Sequence, residues 1–175
     1  PPDENDLSLA LAVSFGAFDY VHLGDLSGAF VPRPDEAYHD VERTVAPRVG
    51  DIDVLRVAHH GSSHSSGEAF LAHTAPEVAI VSAGADNRFG HPHAAAVARL
   101  VRHARLFTTA TGTVVVRTDG GPTYRVDGTP FSVRSVARAD EDGDGWFAEA
   151  DPNDADPAVV PAPRGGCDTT YETCP

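Results

Sequence analysis

The sequence predicts an α/β protein, and three observations carry that prediction. Short apolar runs rich in β-branched residues alternate with stretches of helical period. Each early run stops abruptly at a turn built from Gly, Asp or His. The last strand-like runs follow one another with only Gly-rich turns between them, which predicts antiparallel edges.

Taken in order, Leu7 to Phe15 alternates and then runs apolar, and Phe18 to Leu23 is a second run across Gly16-Ala17. Together they predict a β-hairpin that ends in a loop at Gly24-Asp25. Asp35 to Val45 has a polar-faced helical pattern. Asp53 to Ala58 is expected as a buried strand stopping at His59-His60-Gly61-Ser62. Ser66 is placed to N-cap a helix reaching about His73. Glu77 to Ser82 predicts another strand, and Ala94 to His103 a strong helix after Gly90-His91-Pro92-His93. Leu106 to Thr109, Thr113 to Thr118 and Thr123 to Val126 close the pattern as short strands. Past Arg138 the composition turns to Asp, Gly and Pro, which cannot build a packed core. Two regions are therefore expected, a folded domain over 1–138 and an irregular Asp-rich tail over 139–175.

The 175 residues suit one domain plus an appendage, and a 41% hydrophobic content supports a core. No Met is present, so the sequence is expected to be a processed chain or a fragment. No apolar run approaches the roughly 18 residues of a membrane span. The formal charge is -13, and every basic residue is Arg. That balance counts against a polyphosphate backbone as partner, and no basic stripe with interleaved aromatics predicts a DNA channel. Cys167 and Cys174 are expected to pair, which places the chain in an oxidising, secreted, extracellular or periplasmic setting; the alternative is two free thiols.

Three polar clusters sit where strands are expected to end: Gly24-Asp25, His59-His60-Gly61-Ser62 and Gly90-His91-Pro92-His93. Open α/β sheets place their sites on the rim formed by such ends. Imidazole and carboxylate are the donors that a borderline-soft dication prefers. The candidate metal ligands are Asp25, His59, His60, His91 and His93, with Asp25 and His60 as candidate catalytic residues. On a continuing strand His59 and His60 would point to opposite sides, so their joint use requires a turn at Gly61.

Four segments carry a family resemblance: Asn5-Asp6-Leu7-Ser8-Leu9-Ala10-Leu11, His22-Leu23-Gly24-Asp25-Leu26, Asp53 through Ser62, and Asn87-Arg88-Phe89-Gly90-His91-Pro92-His93. With Thr111-Gly112-Thr113 in the closing strands, they resemble the metallo-β-lactamase-fold domain of ComEC-type competence proteins over about residues 5–127. The resemblance implies the C-terminal half of an αββα sandwich and a hydrolase with two metal ions, zinc or manganese. It implies that Asp25 bridges the metals, that His59 or His60 acts with His91, and that His93 is the weaker candidate. It also implies a phosphodiester or other ester as substrate, either a small molecule or nucleic acid, since that domain is thought to act on incoming DNA. The family's first ligand cluster, His-x-His-x-Asp-His, belongs upstream of Asn5 and does not occur in this sequence. The N-terminal half of the fold is thus the expected partner.

In the tail, Asp140, Asp142 and Asp144 alternate ahead of Gly145, the spacing that opens a calcium loop. Trp146 then falls at position seven and Asp151 at position twelve, and the run resembles Asp-rich repeats of secreted bacterial proteins in which Asp154 and Asp156 add ligands. A rival expectation from another class is a non-catalytic, secreted calcium-binding surface module derived from a decayed hydrolase.

Overall fold

The computed structural model describes residues 4–28 and 39–134. Five strands form the main sheet, in the order β1 (Leu11–Phe15), β2 (Phe18–His22), β3 (Val54–Arg56), β4 (Val78–Val81) and β5 (Arg105–Thr108). β1 runs antiparallel to β2, and the other three pairings are parallel. Each parallel step crosses over through a helix: α1 (Val41–Val49), α2 (Glu68–Thr74) and α3 (Ala94–His103). Because the order is sequential and crossovers keep one hand, all three helices fall on one face. An antiparallel sheet of β6 (Val116–Thr118), β7 (Thr123–Val126) and β8 (Thr129–Ser132) covers the other.

The pleat sorts the side chains between these layers. Val21, Leu55 and Ala79 lie in register and pack with Val49, Phe70, Leu71 and Leu100 from the helices. Their neighbours Tyr20, Val54 and Val78 face the other way, toward Tyr124, Val126 and Phe131. Burial on both faces explains why β4 reads as a continuous apolar run rather than an alternating one, and why β3 is apolar up to Arg56. Asp53 anchors the lower end of β3. Its carboxylate accepts the Asp19 and Arg134 backbone N–H groups at 2.8 and 3.1 Å, and its carbonyl accepts those of Glu77 and Val78.

Several elements differ from expectation for identifiable reasons. The predicted strand from Leu7 begins only at Leu11, because Asn5–Leu7 forms a 3-10 turn. β1 is the edge of the sheet, and its Leu11, Val13 and Phe15 are exposed. The helix predicted over Asp35 to Val45 is observed as α1, capped by Asp40, whose carboxylate accepts the Arg43 N–H. Residues 35–38 lie outside the described residues. α1 continues through Pro47, which forfeits a single hydrogen bond near the helix end, and burial of Ala46 and Val49 offsets that loss. Ser66 does not cap α2. It takes a left-handed backbone, φ 55°, while Gly67 holds the N-cap position and a buried carboxylate from α1 receives the free N–H groups. β8 was not expected because Pro130 breaks its pattern, and a sheet edge tolerates that.

Among the described residues no helix is long and apolar enough to cross a membrane. The expected calcium ligands Asp140, Asp142, Asp144, Trp146, Asp151, Asp154 and Asp156, and the expected Cys167–Cys174 pair, lie outside the described residues. So does the boundary expected near residue 138.

Candidate functional site

β2, β3 and β4 are parallel, so the loops leaving them open on one rim. The first carries Asp25, the second His59 and His60, and the third leads through Asn87 to His91 and His93 at the start of α3. The loops are tied to one another by backbone hydrogen bonds. The His59 N–H donates to the Gly24 carbonyl at 3.0 Å, and the His93 N–H donates to the Gly61 carbonyl at 2.9 Å. The turn required after β3 begins two residues earlier than expected. His59 and His60 are themselves left-handed, at φ 46° and 55°, ahead of Gly61 at 81°. Such backbone is costly for a residue with a Cβ, and it keeps both rings on the rim rather than on opposite faces of a strand.

The rings gather around His91. Its centroid lies 5.5 Å from that of His59, 6.2 Å from His60 and 4.7 Å from His93. His60 Nδ1 lies 2.6 Å from the Ser82 carbonyl oxygen, an acceptor only, so this nitrogen carries the proton and donates. Its Nε2 keeps a lone pair and stands 3.8 Å from Asp25 Oδ1. Two donors each about 2.1 Å from a tetrahedral zinc stand roughly 3.4 Å apart, so donor types and spacing in this pair suit a shared dication. A carbonyl holding the far nitrogen of an imidazole is the usual support of a ligating histidine.

His93 is placed differently. Its Nδ1 accepts the Ser63 N–H at 3.0 Å and its Nε2 donates to the Phe89 carbonyl at 3.1 Å. Both nitrogens are used within the protein, so this ring acts as a strut between loops and has no lone pair free for a metal. Burial lowers the His91 pKa, and His93, His59 and His60 lower it further against the opposing pull of Asp25. A neutral His91 is the form that can donate to a metal. Among the described residues, no group of three or more His, Cys, Asp or Glu side chains is placed to hold a metal ion. Asp25 and His60 thus form a two-donor arrangement, with His59 and His91 beside it at ring-contact distance.

Four positioning groups had weaker signals in the sequence. Ser8 Oγ accepts the Asp25 N–H at 3.1 Å. The Asn87 carboxamide accepts the His91 N–H and donates to the His91 and Gly84 carbonyls, which fixes that loop. His22 ends β2 beside the Arg56 guanidinium, 2.9 Å from its ring nitrogens. Burial first and Arg56 second lower its pKa. A cleft of about 420 Å³ opens next to His60 and His91, lined also by Ala83, Gly84, Phe89 and Thr109.

The chain is similar to ComE operon protein 3 of Bacillus subtilis (strain 168). The two are 37% identical over 119 residues, 67% of this chain and 14% of that protein. Recombination protein 2 of Haemophilus influenzae is 44% identical over 62 residues, 35% of this chain and 8% of that protein. The chain therefore spans a small part of the curated relatives it matches. No family model matches the chain, and no solved structure matches it.

Proposed function

We propose that this chain supplies the downstream half of a metal-dependent hydrolase of phosphodiester or other ester bonds, in a metallo-β-lactamase-like sandwich. The observation that carries this reading is the Asp25–His60 pair, 3.8 Å apart on the rim, with the far nitrogen of His60 held by Ser82. A helix layer on one face and a second sheet on the other fit three layers of a four-layer sandwich. The exposed apolar edge of β1 fits an upstream half that adds to the sheet there. Similarity to ComE operon protein 3 and Recombination protein 2 supports a link to competence, and with it nucleic acid as one substrate class.

A bound dication would lower the pKa of a water and polarise the scissile ester. The chain's own residues do the rest. Asp25 provides a carboxylate, His60 presents Nε2, Ser82 orients the His60 ring, and Asn87 fixes the backbone that carries His91. The adjoining cleft leaves room for substrate beside His60 and His91.

The test is elemental analysis of the full-length protein containing this chain, with hydrolysis of bis(p-nitrophenyl) phosphate as readout. The intact protein is expected to carry zinc or manganese, and Asp25→Ala and His59→Ala to lose metal and hydrolysis together. If neither variant loses metal or activity, the hydrolase reading is wrong. A second reading is a calcium-binding module without catalysis, carried by the alternating Asp140, Asp142 and Asp144 ahead of Gly145 in the sequence. It predicts an intact protein that binds calcium, no transition metal, and turns over no ester.

A further inference from the structure

We propose that Glu42 and Arg99 are positioning residues, a buried carboxylate and a guanidinium that lock the three site-bearing loops together while touching none of the candidate ligands. This inference rests on the hydrolase reading for its purpose, though the geometry stands without it.

Glu42 lies on α1 and is fully buried. Its carboxylate accepts the backbone N–H groups of Ser66 and Gly67, both at 2.7 Å. Those groups belong to the segment that follows His59-His60-Gly61. The same residue reaches the Asp25 loop in two ways. Its own N–H donates to the Ser27 carbonyl at 3.0 Å, and its Oε2 would lie 1.8 Å from any Cβ at position 28, so the carboxylate packs on the bare backbone of Gly28. The Gly28 N–H in turn donates to the His64 carbonyl at 2.9 Å.

Arg99 completes the set from the third side. It lies on α3, whose N-terminus follows His91 and His93, and it donates to three carbonyls of the same 62–67 segment. Its Nη2 reaches Ser63 and Ser65 at 2.8 and 2.9 Å, and its Nε reaches Ser66 at 3.1 Å. Glu42 satisfies the donors of that segment, and Arg99 satisfies its acceptors. The segment is further fixed to the turn itself, since Ser65 Oγ donates to the Ala58 carbonyl and the Ser62 N–H donates to the His59 carbonyl. A displacement of this segment would move His59 and His60 relative to both Asp25 and His91.

Burying the Glu42 carboxylate for packing alone is unfavourable unless specific geometry is gained. Burial pushes the Glu42 pKa up to about 7, against the pull of its two N–H donors and of Arg99. That cost is borne at a point where no ligand is touched, and the gain is a fixed relation among three loops.

The experiment uses the full-length protein with Glu42→Gln and the milder Arg99→Lys, each checked for native circular dichroism. Zinc affinity is read by competition with a chromophoric chelator, and amide hydrogen exchange of residues 59–67 is read in metal-free protein. Each variant is expected to weaken zinc binding about 10- to 100-fold, as loss of supporting groups around a metal site does, and to speed exchange across 59–67. KM for the phosphodiester should change little while kcat falls. Folded variants with wild-type zinc affinity and exchange overturn the positioning role, even if they melt at a lower temperature. Failure of both variants to fold also overturns it, making the pair a requirement of the fold. A wild-type protein that binds neither zinc nor manganese instead sinks the hydrolase reading. The metal-free exchange result then still decides whether the clamp holds the loops.

Discussion

His60→Ala is expected to abolish tight zinc binding, with a loss of at least about 100-fold, because it deletes a donor rather than a supporting group. The variant removes the Nε2 that stands 3.8 Å from Asp25 and leaves the Ser82 carbonyl without its donor. The fold should survive. The His60 side chain is 44% exposed, and one part-buried hydrogen bond contributes only about 1 kcal/mol to stability. Metal loss and stability are therefore separable in this variant. Chelator competition and urea denaturation on the full-length protein check it together. Zinc affinity within a few-fold of wild type would remove His60 from the site. A collapse of the fold would mean that the ring serves packing.

Gly61→Ala should have the second-largest effect, and for a different physical reason. Gly61 has φ 81°, and a Cβ there would sit 2.7 Å from Pro92 Cβ and 3.2 Å from Pro92 Cα. Left-handed backbone costs a non-glycine residue about 1–2 kcal/mol before any clash is counted. The clash cannot be relieved by a flexible side chain, since a proline ring blocks the way. The two histidine loops must separate, and the hydrogen bond from His93 N–H to the Gly61 carbonyl must lengthen. A destabilisation of about 2–3 kcal/mol is expected from those two contributions, with at least a tenfold loss of zinc affinity. Unchanged melting and unchanged affinity would show that the loops do not need their close approach.

Much of this was legible in the sequence. β3 and β4 declared themselves by short, mostly apolar runs, and the connections that follow them carry polar clusters on the rim that the parallel topology creates. The resemblance pointed to Asp25, His59, His60 and His91; Asp25 and His60 stand 3.8 Å apart, and His59 and His91 lie beside them only at ring-contact distance. His93 was equally visible as a histidine, yet its ring is used up by Ser63 and Phe89, which only the folded path of the chain decides. Glu42 and Arg99 gave no signal at all. A Glu in the first turn of a helix and an Arg midway along another are ordinary surface residues by pattern, and the burial of Glu42 and the loop contacts of Arg99 arise from tertiary packing. The Ser66 cap failed because its backbone turns left-handed and Gly67 takes the N-cap position, which the local sequence does not reveal. β8 was hidden by Pro130, and the end of α1 by Pro47.

His59 and His60 are held in a conformation that glycine or asparagine would adopt at lower cost. Replacing either by asparagine or glycine is expected to relieve that strain and to remove an imidazole from the rim. What keeps the imidazoles in place is the set of hydrogen bonds between the surrounding loops rather than the ladder of the sheet beneath. Gentle denaturation or warming should silence the rim while the sheet still stands, as local opening precedes global melting. Working lifetime would then be set by this corner, well short of the point at which the protein as a whole gives way.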